Sequence, residues 1–341
     1  MEAALITAQN PARSAAAAPA MEAVVQRTYG APDTLRVERL PRPSPAPGQV
    51  VVEVRAAGLN RGVWHLMTGR PYLMRVMGFG FSRPKNPIAG NELAGVIVEV
   101  GAGVTRLKVG DPVFGIGEGA LADFVVARED KLALKPARLS FVEAATIGVS
   151  GLTALQALER AGSVRGARAL IIGASGGVGT LLVQLAKDAG AEVTAVASGA
   201  KAALVQSLGA DRVLDYKRQD FTAEATRYDV IFDLGGNTPL AALRRVLSQS
   251  GRVVFVGGEN GGDLTAGFGR LIGALLLGIF VKQRFHLLTT KEHFLGLEAL
   301  RVLVDTGKLR PVVAQVWPRT EIVAAMTALE SGRIAGKAVC A

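Results

Sequence analysis

Leu170-Ile171-Ile172-Gly173-Ala174-Ser175-Gly176-Gly177-Val178-Gly179 runs straight into Thr180-Leu181-Leu182-Val183-Gln184-Leu185-Ala186. An apolar run ends in a knot of glycines, and a helix-forming pattern starts at once. This is the pattern of a βα unit whose turn must sit against a phosphate. Working outward, Glu192 to Ala197 reads as a second strand, and Ala200 to Leu208 as a helix. Asp211 to Asp215 and Asp229 to Leu234 are strands, Thr238 to Ser248 a helix and Gly251 to Gly257 a strand. This alternation predicts a doubly wound parallel sheet covered on both faces.

The pattern differs on either side. From Met21 to about Phe141 the chain is rich in short strands with Gly and Pro turns, such as Gln49 to Ala56 after the Pro41–Gly48 turn. That predicts a compact β-barrel-type domain. Ser140 and Glu143 form a capping box, and Ala144 to Leu158 reads helical. After about Phe285, His293 to Asp305 is helical, Val312 to Trp317 a strand, Glu321 to Ser331 a helix and Gly336 to Cys340 a strand, a tail expected to return to the first domain. The expected division is a disordered tail over 1–20, a first domain over 21–142 completed by 286–341, and a nucleotide domain over 143–285. The alanine-rich residues 1–20 read as a tail, or as an upstream start before Met21; a targeting peptide is the alternative.

The chain has 341 residues, 49% of them hydrophobic, which suits two cores better than one. The net charge of +10 comes from dispersed Lys and Arg, so it fits a basic enzyme with an anionic cofactor better than a specific nucleic-acid binder. The single cysteine, Cys340, excludes an intrachain disulfide and a cysteine metal cluster. It fits a reducing, cytoplasmic setting. Leu271 to Val281 is the longest candidate apolar stretch and falls short of the ~20 residues of a membrane span.

The dinucleotide fingerprint G-x-G-x-x-G is met in modified form by Ala174, Gly176 and Gly179, with Gly177 in addition. Ser175 and Val178 complete the turn. An NAD site usually carries Asp or Glu after its second strand. Here the sequence is Val196-Ala197-Ser198-Gly199-Ala200-Lys201, with no carboxylate. A serine and a lysine bind a 2′-phosphate that a carboxylate repels, and Tyr216 adds a hydroxyl. The expected cofactor is NADPH rather than NADH.

The chain resembles the zinc-independent, quinone-oxidoreductase-like (zeta-crystallin-like) branch of the medium-chain dehydrogenase/reductase superfamily. The matching pieces run in order from Ala56-Ala57-Gly58-Leu59-Asn60 and Gly90-Asn91-Glu92-Leu93-Ala94-Gly95 through Val109 to Gly115, Gly151-Leu152-Thr153-Ala154, the glycine turn, Leu208 to Asp211 and Tyr228 to Asp233 to Gly336-Lys337-Ala338-Val339. The resemblance implies a GroES-like catalytic domain, a Rossmann domain and a cleft between them. It implies NAD(P)H-dependent reduction of quinones or α,β-unsaturated carbonyls, and commonly a homodimer. It places Thr153 near the nicotinamide and Gly257 and Gly258 near the cofactor, and Lys337 is assigned with them. Zinc-dependent relatives carry cysteine and histidine where this chain has Asn60 and Asn91. With one cysteine and three histidines in the chain, no zinc is expected.

Without zinc, another group must stabilise charge on the acceptor oxygen and supply a proton. Asn60 can donate a neutral hydrogen bond. His65 stands where the resembled family often has tyrosine, and it can transfer a proton near neutral pH. Tyr72 is a weaker candidate. Residues 69–90 carry Arg70, Arg75, Arg83 and Lys85 with Met74, Met77, Phe79 and Phe81, and no acid. They suit the mouth of a site for a large apolar substrate; contact with an anionic membrane surface is a lesser reading. Two alternatives to the reductase are a nucleotide-binding regulatory or RNA-binding protein with vestigial activity, and an alcohol dehydrogenase of the same superfamily.

Overall fold

The computed structural model describes residues 20–236, 238–257 and 268–341. The expected tail therefore lies outside the described residues, except for Ala20, with which the first strand begins. Gly258 also lies outside them.

The first part of the chain is a partly open barrel. A hairpin of β1 (Ala20–Val25) and β2 (Arg36–Pro41) lies against it. β3 (Gln49–Leu59) is the hub, and α1 (Arg61–Thr68) leaves its end. β4 (Glu92–Val100), β5 (Pro112–Ile116), β6 (Phe124–Arg128) and β7 (Leu132–Leu134) follow. β3 pairs antiparallel with β4 and β6, and its register with β4 shifts between Val51 and Val52 and again between Val54 and Ala56. Such bulges bend a strand, which lets one strand serve several neighbours around a closed core. Val50, Val51 and Val52 are all buried, as a strand covered on both faces requires.

The expected helix over 144–158 is two helices. α2 (Phe141–Ala144) carries the Ser140–Glu143 capping box, and α3 (Gly148–Ala161) begins after a break. The reason is tertiary. Glu92 of β4 accepts the Val149 N–H at 2.8 Å, so a carboxylate from the barrel caps a new helix N-terminus.

The nucleotide domain follows. β8 (Arg168–Ile172), α4 (Gly177–Asp188), β9 (Glu192–Ala197), α5 (Ala202–Ser207), β10 (Arg212–Asp215), β11 (Tyr228–Asp233), α6 (Leu240–Val246), β12 (Leu247–Phe255), α7 (Phe268–Gly278) and β13 (Arg284–Leu287) alternate. Their sheet is parallel in the order β10-β9-β8-β11-β12-β13. The strand order reverses at β8 and β11, and ligands of such sheets bind at the carboxyl ends there. The sixth strand was not expected. Only Phe285 of its four residues is buried, so its sequence carries no clear apolar period. It carries the sheet past the expected boundary at 285.

α8 (Phe294–Asp305), β14 (Val313–Trp317), α9 (Ile322–Glu330) and β15 (Lys337–Cys340) complete the chain. β15 pairs antiparallel with β3, returning the tail to the barrel. Cys340 is buried there, and burial pushes its thiol up to about 12, which leaves it unreactive. Among the described residues, no helix is long and apolar enough to cross a membrane.

Candidate active site between the two domains

The glycine turn is shaped by close backbone packing. Gly173 leaves β8 at φ +86°, and a Cβ on Gly179 would lie 2.3 Å from the Gly173 oxygen. Only glycine permits that approach. A Cβ on Gly176 would meet nothing nearer than 3.6 Å, so packing does not require glycine there; open space over the backbone does. α4 then points its N-terminus at that space, the geometry that receives a pyrophosphate. Gly257 sits against the Leu234 oxygen, 2.2 Å from where a Cβ would be, at the end of β12. These residues fit a dinucleotide. Gly177 and Val178 are partly exposed on the turn, and Ser175 is nearly buried. Ala174 does not face the cofactor space: it is wholly buried in the core, where its methyl group packs.

At the far end of the crevice, Ser198 follows β9. Tyr216 N–H donates to the Ala197 oxygen at 3.3 Å and its ring is exposed beside it. Lys201 is already engaged: its ammonium donates to the Gly332 and Ile334 oxygens, each at 2.8 Å. Burial, and then repulsion from Lys217, hold its pKa below the usual lysine range. An ammonium has three donors, so one remains for a phosphate. Sequence reasoning missed Asp215. It ends the third strand, β10, rather than following the second, and its Oδ2 lies 2.6 Å from where a Gly199 Cβ would be.

The C-terminal segment clasps the turn. Gly336 N–H donates to the Ser175 oxygen at 2.8 Å. The next residue, Lys337, is almost wholly buried, and its charge goes to the barrel rather than to open cofactor space. Its Nζ lies 2.7 Å from Glu92 Oε2 and 2.6 Å from Ser150 Oγ. Its stem lies under the turn, with Cδ 3.0 Å from where a Gly177 Cβ would be.

The same carboxylate orders two amides. Asn60 Nδ2 donates to Glu92 Oε2 at 3.2 Å and to Asn91 Oδ1 at 2.9 Å, while Asn60 Oδ1 caps α1 by accepting the Val63 N–H at 3.1 Å. Asn60 therefore has no spare donor, contrary to the role expected for it. Asn91 does. Its Oδ1 is taken, its Nδ2 is engaged by none of the hydrogen bonds among the described residues, and the residue lines a cleft of about 630 Å³. The cleft is also lined by Val63, Leu66, Phe79, Glu118, Lys131 and Glu292. Lys131 Nζ lies 2.8 Å from Glu292 Oε2. Thr153 of α3 reaches Thr290 Oγ1 at 3.3 Å, tying the helix to the strap behind Glu292.

His65 and Tyr72 do not line that cleft. Val63 and Leu66, three residues apart, share the cleft face of α1, and at about 100° per residue His65 faces elsewhere. Its Nδ1 donates to the Arg70 oxygen at 2.7 Å and its ring packs edge-on against Trp64. Burial lowers its pKa below the ordinary histidine value, outweighing the hydrogen bond to Arg70. Tyr72 is exposed under the Arg75 guanidinium.

Two carboxamides, Asn60 and Asn91, and a carboxylate already paired with lysine stand together here, and among the described residues no three His, Cys, Asp or Glu are grouped as metal ligands would be.

Comparison with known proteins agrees with this architecture. Residues 46–137 match the alcohol dehydrogenase GroES-like domain, and residues 208–340 match the zinc-binding dehydrogenase family. The chain is 33% identical over 339 residues to the chloroplast envelope quinone oxidoreductase homolog of Arabidopsis thaliana, covering 94% of this chain and 98% of that one. It is 32% identical over 337 residues to the 2-methylene-furan-3-one reductase of Solanum lycopersicum, covering 94% and 78%. The structure of the quinone oxidoreductase from Coxiella burnetii superposes with a TM-score of 0.80 at 28% identity, covering 94% and 99%. The chain belongs to the quinone oxidoreductase-like group of the medium-chain dehydrogenase/reductase family of oxidoreductases.

Proposed function

We propose that this protein is an NADPH-dependent reductase that passes hydride to quinones or α,β-unsaturated carbonyl compounds without zinc. The observation that carries the reading is the Asn91 amide. It is held by Asn60, which Glu92 in turn holds, and it lines the cleft. NADPH, when bound, supplies the hydride. The Gly176–Gly179 turn and the α4 N-terminus take the pyrophosphate. Ser198, Lys201 and Tyr216 take the 2′-phosphate, with Asp215 opposing it from nearby. Lys337 props the turn from below. Asn91 Nδ2 donates to the acceptor oxygen as negative charge develops on it. Its orientation is set beforehand, because Asn60 holds its Oδ1. Water, admitted past exposed Glu118 and partly exposed Lys131, supplies the accompanying proton.

We further propose a homodimer and a cytoplasmic setting. Among the described residues β13 is the unpaired edge of its sheet, and α7 beside it exposes Leu275 and Leu276. An unpaired edge next to an apolar helix is what a second copy covers. Light scattering tests the dimer. Steady-state NADPH oxidation with a panel of quinones and enones tests the activity: turnover of either class is expected, and none across the panel refutes the reading.

A further inference from the structure

The loop between α1 and β4 holds apolar side chains out in water by construction. Its base is pinned. Tyr29 Oη donates to the Gly80 oxygen at 2.7 Å and to the Phe79 oxygen at 3.1 Å, and Lys85 N–H donates to the Phe79 oxygen at 2.9 Å. The Arg75 guanidinium stacks on the Tyr29 ring and donates to the Gly69 oxygen at 2.9 Å. Gly80 takes φ +113°, and a Cβ there would lie 2.0 Å from the Arg83 oxygen, so the chain closes tightly between Phe79 and Lys85. On the turn before this closure Val76 is 65% exposed and Met77 67%, and within it Phe81 is 78% exposed. Single exposed apolar side chains are ordinary; three within six residues on an ordered loop mark a contact surface.

The charge carried by the loop itself has one sign, although Glu118 and Glu292 stand across the cleft from it. Residues 69–90 contain four cationic side chains and no carboxylate, within a chain of net charge +10. A second copy of the same surface would set these cations against themselves. Exposed apolar side chains on a segment whose own charges are all lysine and arginine are the pattern of a segment that lies in the interface of an anionic bilayer. The inner side of the loop, Gly78, Phe79 and Lys85, lines the cleft that Asn91 reaches.

We propose that residues 76–83 form a wedge that docks the protein on an anionic lipid bilayer, with the mouth of the cleft at the membrane surface. Sparingly soluble acceptors then enter from the lipid phase rather than through water. The docking is independent of the reductase reading and is tested without substrate.

The test is sedimentation of the full chain with phosphatidylcholine vesicles and with vesicles in which about a third of the lipid is phosphatidylglycerol. The chain is expected to pellet with the anionic vesicles only, and to be released when salt rises from ~50 to ~500 mM. The paired change Met77→Ser and Phe81→Ser, and separately Arg83→Glu, should weaken binding by ~10-fold or more at unchanged melting temperature. The proposal is overturned if the chain stays in the supernatant with anionic vesicles, or if both variants pellet as the wild type does. It is equally overturned if the Met77/Phe81 pair dissociates a dimer while leaving pelleting intact. Single-stranded RNA held through Arg83 with no dependence on Met77 or Phe81, in a chain that leaves vesicles alone, also overturns it.

Discussion

The Lys337 ammonium lies 2.7 Å from Glu92 Oε2, and both side chains are closed off from solvent. The pair joins the last strand of the barrel to β4, which Asn91 directly precedes, and the Lys337 stem lies beneath the cofactor turn. Removing one charge strands the other in a low dielectric. Lys337→Met or Glu92→Ala should each cost about 3–5 kcal/mol. The combined Lys337→Met/Glu92→Gln chain should regain much of that, because no buried charge is left over. Chemical denaturation of the four proteins measures the difference.

Asn91 and Asn60 should behave differently although they touch. Asn91→Ala is expected to lower kcat about 10- to 100-fold with little change in NADPH affinity, since it removes a donor to developing charge. Asn60→Ala also removes the α1 cap at Val63 and should cost about 1 kcal/mol in stability. Asn60→Ser keeps the cap and isolates the loss of Asn91 orientation. Equal kcat in Asn91→Ala and wild type would remove the amide from the reaction.

His65 offers a pH test. Its folded pKa lies below the unfolded value of about 6.5 because burial disfavours the imidazolium. Between those two values the unfolded chain binds the proton and the folded chain does not. The stability carried by the neutral ring is therefore complete above about pH 6.5 and is lost as pH falls through that window. His65→Gln should flatten this part of the stability–pH curve. Its turnover near pH 7 should stay within about 3-fold of wild type, because His65 does not line the cleft.

Two glycines should respond in opposite directions. Gly179→Ala forces a methyl group to 2.3 Å from the Gly173 oxygen and should abolish NADPH binding, read by fluorescence titration. Gly273 lies in α7 with nothing within 4 Å of an added Cβ, so Gly273→Ala should stabilise by about 0.5–1 kcal/mol.

The proposed preference for NADPH rests on the charges near the end of β9. Lys201→Ala should reduce the preference for NADPH over NADH by about 10-fold, as expected for one charge-assisted contact to a phosphate. Asp215→Asn should shift it the other way. Paired titrations with the two cofactors measure both.

Much of the nucleotide domain was legible in the order of residues. Arg168–Ile172 and Glu192–Ala197 are strands buried throughout after a charged first residue and mostly apolar, and the Gly173–Gly179 turn between them needs glycine at Gly173 and Gly179 for its own backbone. Such features are local, so a linear pattern carries them. β13 was not legible, because one buried residue in four leaves no period. Nor was the break between α2 and α3, which depends on Glu92 from the other domain.

The site divides along the same line. The sequence by itself determined that a dinucleotide turn is present, and that thiolate and imidazole are missing where zinc-dependent relatives have them. Only the tertiary structure decided which amide keeps a donor that no hydrogen bond among the described residues engages. Asn60 and Asn91 are the same residue type, and what distinguishes them is a hydrogen bond across 31 positions and the carboxylate beside it. It also decided that the Lys337 charge belongs to Glu92, and that His65 turns from the cleft. A side chain's free donors depend on what packing brings within 3 Å or so, and those partners lie too far along the chain for any local pattern to record.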